Sequence, residues 1–360
     1  MDAHVSKLRS IMAKQNIDAV LISSIANITY VTGYDGFSPV EREAYLLATK
    51  NKAFLIVSAL HFEEAKKIAK NVEVLERNIK RPLKNILEDL IKKYQIKKCG
   101  IESESFTVSE YNFLFPLFVK IQPADLTSLR IIKTTNEINL IRKACELGDK
   151  AYSYILKNMK IGMTEKEVGL ELEWFIRKTG SDISFPPIVA FEENAAVPHH
   201  NVSNRRLKNN NLILLDFGTK VDNYCSDMTR VFFLGKATKE QKIVYKTVVD
   251  AQKKATNYIN DKLAKNEKAI CTKIDAKARD YIVDLGYPPF NHSSHGIGLE
   301  VHENPHISSS KKPLENGTVF SIEPGIYLPN KFGVRIEDLF ALANNKLIRL
   351  TRSPKNLIEI

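Results

Sequence analysis

Two stretches decide how this chain folds: LILLDFGTKVDNYCSDMTRVFF at residues 212–233 and VFSIEPGIYLPNKFGVRIEDLFAL at residues 319–342. Each reads as apolar strand, acid, turn, acid, apolar strand. Asp216 and Asp227 stand eleven residues apart across a glycine-containing turn, and Glu323 and Glu337 fourteen apart across a Gly/Pro turn. Turn residues between two apolar runs spell a hairpin. A carboxylate inside a buried strand is expensive unless it is paired or bound to a cation. Antiparallel neighbours bring side chains of one face together, so two such hairpins facing each other gather four carboxylates in one pocket. Without cations those acids repel one another and take up protons. Two divalent metal ions remove the conflict. The echo between the stretches, low in identity, points to a two-fold duplicated design.

The segment SSHGIGLEVHE at 293–303 adds His295, set among small residues that allow close backbone approach. An oxygen-rich donor set with one imidazole suits Mn, Co, Zn or Fe without choosing among them.

Working outward, residues 239–285 read as a helical layer ahead of the second hairpin, and a corresponding layer precedes the first. There, Thr134 or Thr135 followed by Glu137 resembles a helix start, and the helix runs to about Met159. A second helix spans Thr164–Thr179 with Thr164 as its cap, followed by a strand at Ile188–Phe191. Upstream, helical spacing over 3–16, 62–70 and 83–94 alternates with apolar, strand-length runs at 18–24, 44–48 and 53–58. That alternation argues for a small α/β domain over residues 1–128, ahead of a second domain over 129–360.

The length of 360 residues suits two domains, and 44% hydrophobic with 26% charged residues is ordinary for a globular chain. The net charge of +11 comes from lysines scattered over solvated helix faces. With no recognition motif beside it, the charge argues for no nucleic-acid partner. Cys99, Cys145, Cys225 and Cys271 are widely spaced, which fits reduced, buried thiols rather than a disulfide scaffold. No charged leader and no membrane-length apolar run is evident. The expectation is a cytoplasmic protein without a membrane partner.

The motifs LLDFG at 214–218, SDMTR at 226–230, HGIGLEVHE at 295–303, EPGIY at 323–327 and RIED at 335–338 together resemble the pita-bread metallopeptidases. NITYVTGYDGF at 27–37 and REAYLL at 42–47 extend the resemblance to that family's N-terminal domain. The order and spacing fit its proline-specific branch, the Xaa-Pro aminopeptidases (aminopeptidase P) and Xaa-Pro dipeptidases (prolidases). The resemblance implies an α/β creatinase-like domain followed by an α+β catalytic domain with pseudo-two-fold duplication. By the same resemblance Asp216 chelates one metal, Asp227 and Glu337 bridge both, and His295 and Glu323 complete the other, with manganese the favoured ion. His199 and His302 then line the pocket as non-ligands, Glu323 is a candidate proton acceptor, and Arg335 orients ligand carboxylates. His200 adjoins this set. The family usually has a His four residues before the metal histidine and a Gly just before it. Here position 291 is Asn, His292 lies three before, and Ser294 stands in the glycine's place.

The implied reaction is hydrolysis of proline-containing peptides. The sequence reading favours an Xaa-Pro aminopeptidase, with the dipeptidase as the alternative and a catalytically inert binding protein of the same fold as a remote one. Nothing in 129–360 resembles a lid, whereas GYDGFSPVER, from Gly33 to Arg42, has the composition of an ordered functional loop. A homodimer in which Tyr34–Arg42 approaches a partner's pocket is therefore expected.

Overall fold

The computed structural model describes residues 3–38, 40–289 and 294–360. The chain divides into two compact units, Met1–Arg130 and Ile131–Ile360.

In the first unit, the apolar runs at Ala19–Ile22 and Ala44–Thr49 are buried along their whole length, as strands covered on both faces are. They lie inside a six-stranded sheet ordered Glu73–Arg77, Ala53–Ser58, Ala44–Thr49, Ala19–Ile22, Lys98–Ile101, Lys120–Pro123. Ala44–Thr49 is antiparallel to both neighbours, and the remaining pairs are parallel. The loop expected to reach outward is pinned to its own unit at both ends. Tyr34 and Phe37 are buried, with rings edge to face at 4.8 Å. Arg42 is held by Glu110 at 2.7 Å and by the carbonyl of Ser105 at 2.6 Å. Asp35, Gly36, Val40 and Glu41 are the described positions between them that face solvent.

The second unit is built twice over from a helix pair and a broken hairpin. The first pair is Thr135–Asn158 and Glu165–Lys178. Both open with a reciprocal capping box, Thr134 with Glu137 and Thr164 with Glu167, which satisfies backbone donors that the first turn leaves free. Thr134, rather than Thr135, is the cap. The second pair is Lys239–Ala264, capped by Thr238 and Gln241, and Cys271–Asp284.

Strand alternation sends successive residues to opposite faces. Ile213, Leu215 and Phe217 pack against Ile155, Val168 and Leu172 of the first helix pair. Leu212 and Leu214 join Val248, Ile274 and Ile282 of the second pair in another core, which also takes Phe320 and Ile322. The two halves therefore share one interior, and the hairpins meet there.

Each hairpin changes sheet partway. Asn211–Phe217 and Met228–Leu234 pair with each other, and beyond Gly218 the chain continues as Thr219–Val221 and Tyr224–Cys225. Asp222 and Asn223 close that tip with φ of 45° and 69°, the left-handed pair that a tight hairpin turn requires. A Cβ at Gly218 would lie 1.8 Å from the Ser226 carbonyl oxygen, so the switch point admits only glycine. In the second half, Val319–Ile322 pairs with Asp338–Ala343, while Gly325–Leu328 pairs with Phe332–Arg335 in a separate ladder. Pro324, with no N–H to donate, ends the first of these strands. The strand-like apolar run Val334–Leu342 is broken at Ile336–Glu337. Asp227, Glu323 and Glu337 sit in these breaks, and Asp216 lies two residues before Gly218.

Candidate metal centre

Asp216, Asp227, His295, Glu323 and Glu337 are all buried and converge. Ligand atoms of Asp216, Asp227 and Glu337 lie within 4.8 Å of one another, as do those of His295, Glu323 and Glu337. Glu337 belongs to both groups. His295 Nε2 lies 3.3 Å from Glu323 Oε1 and 3.7 Å from Asp227 Oδ2. Its Nδ1 donates to the Gly296 carbonyl at 3.0 Å, which leaves the Nε2 lone pair facing the carboxylates. Burial, then the neighbouring His302, lowers the His295 pKa to about 4, so the imidazole is neutral.

The acids are positioned from behind. Ser321 Oγ donates to Glu323 Oε1 at 2.7 Å and accepts from the His295 backbone N–H at 3.0 Å. The Glu323 N–H donates to Ser294 Oγ at 3.3 Å. Thr229 Oγ1 donates to Glu337 Oε2 at 2.8 Å. Arg335 spreads its guanidinium over four groups: Nε to Thr229 Oγ1 at 2.9 Å, Nη1 to the Tyr327 hydroxyl at 2.6 Å and the Pro198 carbonyl at 3.3 Å, and Nη2 to Asp216 Oδ2. Deeper still, fully buried Arg230 donates to Asp338 Oδ1 at 2.6 Å and to the Glu337 carbonyl at 2.5 Å.

Despite these partners, Asp216 Oδ1, Asp227 Oδ1 and Glu337 Oε1 are buried without a hydrogen-bond partner among the described residues. Burial and, after it, the surrounding carboxylates push Asp227 and Glu323 well above the usual acid range and Glu337 to about 8. Three converging carboxylates with buried oxygens that find no hydrogen-bond donor fit divalent cations, which would satisfy those oxygens and reverse the repulsion.

Around this centre the other sequence-singled residues divide. His302 is exposed, lies edge-on to His295 with ring centroids 4.3 Å apart, and comes within ligand reach of Asp227 and His295. His199 is exposed and near enough to His302 to help burial lower the His302 pKa. His200 points elsewhere, its Nε2 2.8 Å from Glu165 Oε2. Asn291 and His292 lie outside the described residues. Sequence reading assigned no role to Thr229, Ser321 or Tyr327, although SDMTR and EPGIY contain two of them. It also passed over His306, which is His295's partner in the antiparallel ladder and so shares its face.

Residues 139–344 match Metallopeptidase family M24, and residues 4–135 match the Creatinase/Prolidase N-terminal domain. The chain belongs to metallopeptidase family M24, and its fold is the creatinase-like α/β domain followed by a pita-bread catalytic domain. It is 35% identical to an Xaa-Pro dipeptidase of Pyrococcus horikoshii over 99% of both chains. Among solved structures it is similar to an Xaa-Pro dipeptidase from Bacillus anthracis, with TM-score 0.89, 32% identity and 99% of each chain covered. It is also similar to an X-Pro aminopeptidase from Thermotoga maritima, with TM-score 0.87, 31% identity and 99% of each chain covered. Among the described residues no helix is long and apolar enough to cross a membrane.

Proposed function

We propose that this chain is a metal-dependent Xaa-Pro dipeptidase whose centre holds two divalent ions on Asp216, Asp227, His295, Glu323 and Glu337. The observation that carries the reading is the pair of overlapping ligand groups joined through Glu337, with orphaned carboxylate oxygens on Asp216, Asp227 and Glu337. Bound divalent cations would polarise a peptide carbonyl and lower the pKa of a water molecule. Mn is the favoured pair, with Co, Zn or Fe equally compatible with the donor set.

The chain's own groups do the rest. Asp227 and Glu337 would hold both ions between them, and Glu323 would ligate one and accept the proton released by the water. His199 and His302 offer N–H donors to the substrate carbonyl and to charge developing on it. Arg335 fixes the Asp216 and Thr229 side chains, so that the ligand oxygens do not reorganise during the reaction. A proline after the scissile bond has no N–H and a fixed φ, which a rigid pocket selects.

The relatives support the dipeptidase reading over the aminopeptidase that the sequence alone favoured, since the Pyrococcus and Bacillus proteins carry that activity in their names. The aminopeptidase stays as the second reading because the Thermotoga protein is as similar over the same length. A dipeptide substrate presents a free carboxylate near the attacked bond, and His306, which shares His295's face of the ladder and influences His302 electrostatically, is a candidate donor for it. The deciding experiment offers Mn-loaded protein an Xaa-Pro dipeptide and the matching Xaa-Pro-Yaa tripeptide and reads product masses. Cleavage of the dipeptide with the tripeptide left intact is expected. Efficient release of the first residue from the tripeptide overturns the dipeptidase reading in favour of the aminopeptidase.

We extend the reading to a cytoplasmic homodimer, in which the exposed part of the Tyr34–Arg42 loop meets a partner. Four buried free cysteines agree with a reducing compartment. Light scattering that finds only monomer at full activity contradicts the shared-site version.

A further inference from the structure

Glu165 is completely buried at the first position of the helix Glu165–Lys178. It is not needed to start that helix, because Thr164 and Glu167 already form the capping box. Its carboxylate instead collects five hydrogen bonds. Oε1 accepts from the Phe191 N–H at 2.8 Å and from Asn194 Nδ2 at 2.9 Å. Oε2 accepts from His200 Nε2 at 2.8 Å, the Ser203 N–H at 2.9 Å and Ser203 Oγ at 2.6 Å. Every donor comes from residues 191–203, the segment that carries His199. Phe191 ends the strand Ile188–Phe191, and past the short 3₁₀ turn Glu192–Ala196 residues 197–203 are in no strand or helix, so no ladder fixes the part that carries His199. A second tether is the Pro198 carbonyl, which accepts from Arg335 Nη1 at 3.3 Å, the same guanidinium that holds Asp216. The segment is thus strung between a buried carboxylate on one side and the metal-centre arginine on the other, with His199 between the two attachment points.

We propose that Glu165 is a positioning residue of the substrate pocket. By drawing the Phe191–Ser203 segment onto one carboxylate, it sets where the His199 imidazole stands over the metal centre. The proposal rests on the reading of His199 as a substrate-contacting group. Position errors of about 1 Å in such a group can cost roughly a hundredfold in rate. The anchor is isosteric with glutamine, yet glutamine replaces one acceptor oxygen with a donor that would face N–H groups.

The test is a double-mutant cycle on the Mn-loaded protein, using Glu165→Gln, His199→Ala and the pair, with metal content and melting temperature measured on each. Expected is wild-type metal content in all three and a loss in kcat/KM of about 10–100-fold for Glu165→Gln. The pair should be no slower than His199→Ala alone, because the effect of Glu165 passes through His199. A pair slower than His199→Ala by the full Glu165→Gln factor overturns the proposal, since independent contributions simply multiply. So does a Glu165→Gln protein at the wild-type rate. A His199→Ala protein at the wild-type rate with both metals bound defeats the prior reading of His199, and the proposal falls with it. Should Glu165→Gln not fold, Ser203→Ala and His200→Asn each remove part of the donor set while leaving the carboxylate solvated by the others. The same cycle then applies, with the same two decisive outcomes.

Discussion

The Thr229 hydroxyl donates to Glu337 Oε2 at 2.8 Å, a bond between residues 108 positions apart that joins one half of the catalytic unit to a carboxylate of the other. Thr229 Oγ1 in turn accepts from Arg335 Nε at 2.9 Å. The backbone repeats the link, with the Glu337 N–H donating to the Thr229 carbonyl at 3.1 Å. Thr229→Val keeps the shape and removes the hydroxyl. It is expected to weaken metal binding by about 10–100-fold, the usual cost of losing a group that orients a ligand. A metal titration followed by calorimetry reads this directly, and unchanged affinity would show that the Glu337 carboxylate is held adequately by other groups.

Arg335 serves Thr229, Tyr327 and Asp216 at once, a fan of directions that only a planar guanidinium provides. Arg335→Lys retains the charge and loses the geometry. The expected result is a fall in kcat of about a hundredfold with a much smaller change in KM. A lysine variant as active as wild type would mean that charge alone suffices.

The carboxylate cluster sets the pH response of metal-free protein. Glu337 is raised to about 8, chiefly by burial and then by Asp216, and Asp227 and Glu323 are raised as well, chiefly by burial and then by Glu337. A folded-state pKa above the unfolded value means that the native state binds protons more tightly. The associated stability is present below about pH 4 and is lost as pH rises through about 8. The melting temperature of chelator-treated protein should therefore drop between about pH 5 and 8, and added Mn²⁺ should restore it. A flat profile in verified metal-free protein would contradict the repulsion on which the metal assignment rests.

Arg230 and Asp338 form a pair with no exposure on either side, directly behind Glu337. Lys355 approaches the other Asp338 oxygen at 2.7 Å. Asp338→Asn leaves the buried guanidinium without its counter-ion and is expected to cost about 3–5 kcal/mol. Denaturant titration measures it, and a loss below about 1 kcal/mol would show that Ser353 and the Glu337 carbonyl suffice to hold Arg230.

Much of this was legible in the chain. The cap signals at Thr134 or Thr135 with Glu137, and at Thr164, are local, so they survive in sequence, and the helices begin there. The acids were legible because a carboxylate inside an apolar run is physically conspicuous. What escaped were features made by long-range contact. The break before Glu337 depends on a separate ladder formed by Gly325–Leu328 and Phe332–Arg335, which the apolar run through Val334–Leu342 conceals. Thr229 and Ser321 are unremarkable in sequence and acquire their function from partners brought by folding. Sequence reading gave Glu165 no role, and nothing near it in sequence indicates the segment more than twenty residues away that it holds.

The most direct test is the number of metal ions bound per chain, measured by elemental analysis after equilibration with Mn²⁺ and gel filtration, for wild type, Asp227→Ala, Glu337→Ala and Glu323→Ala. The account gives two ions for wild type, loss of both in Asp227→Ala and Glu337→Ala because each bridges, and preferential loss of one in Glu323→Ala. Two tightly held ions in Asp227→Ala or Glu337→Ala would contradict it.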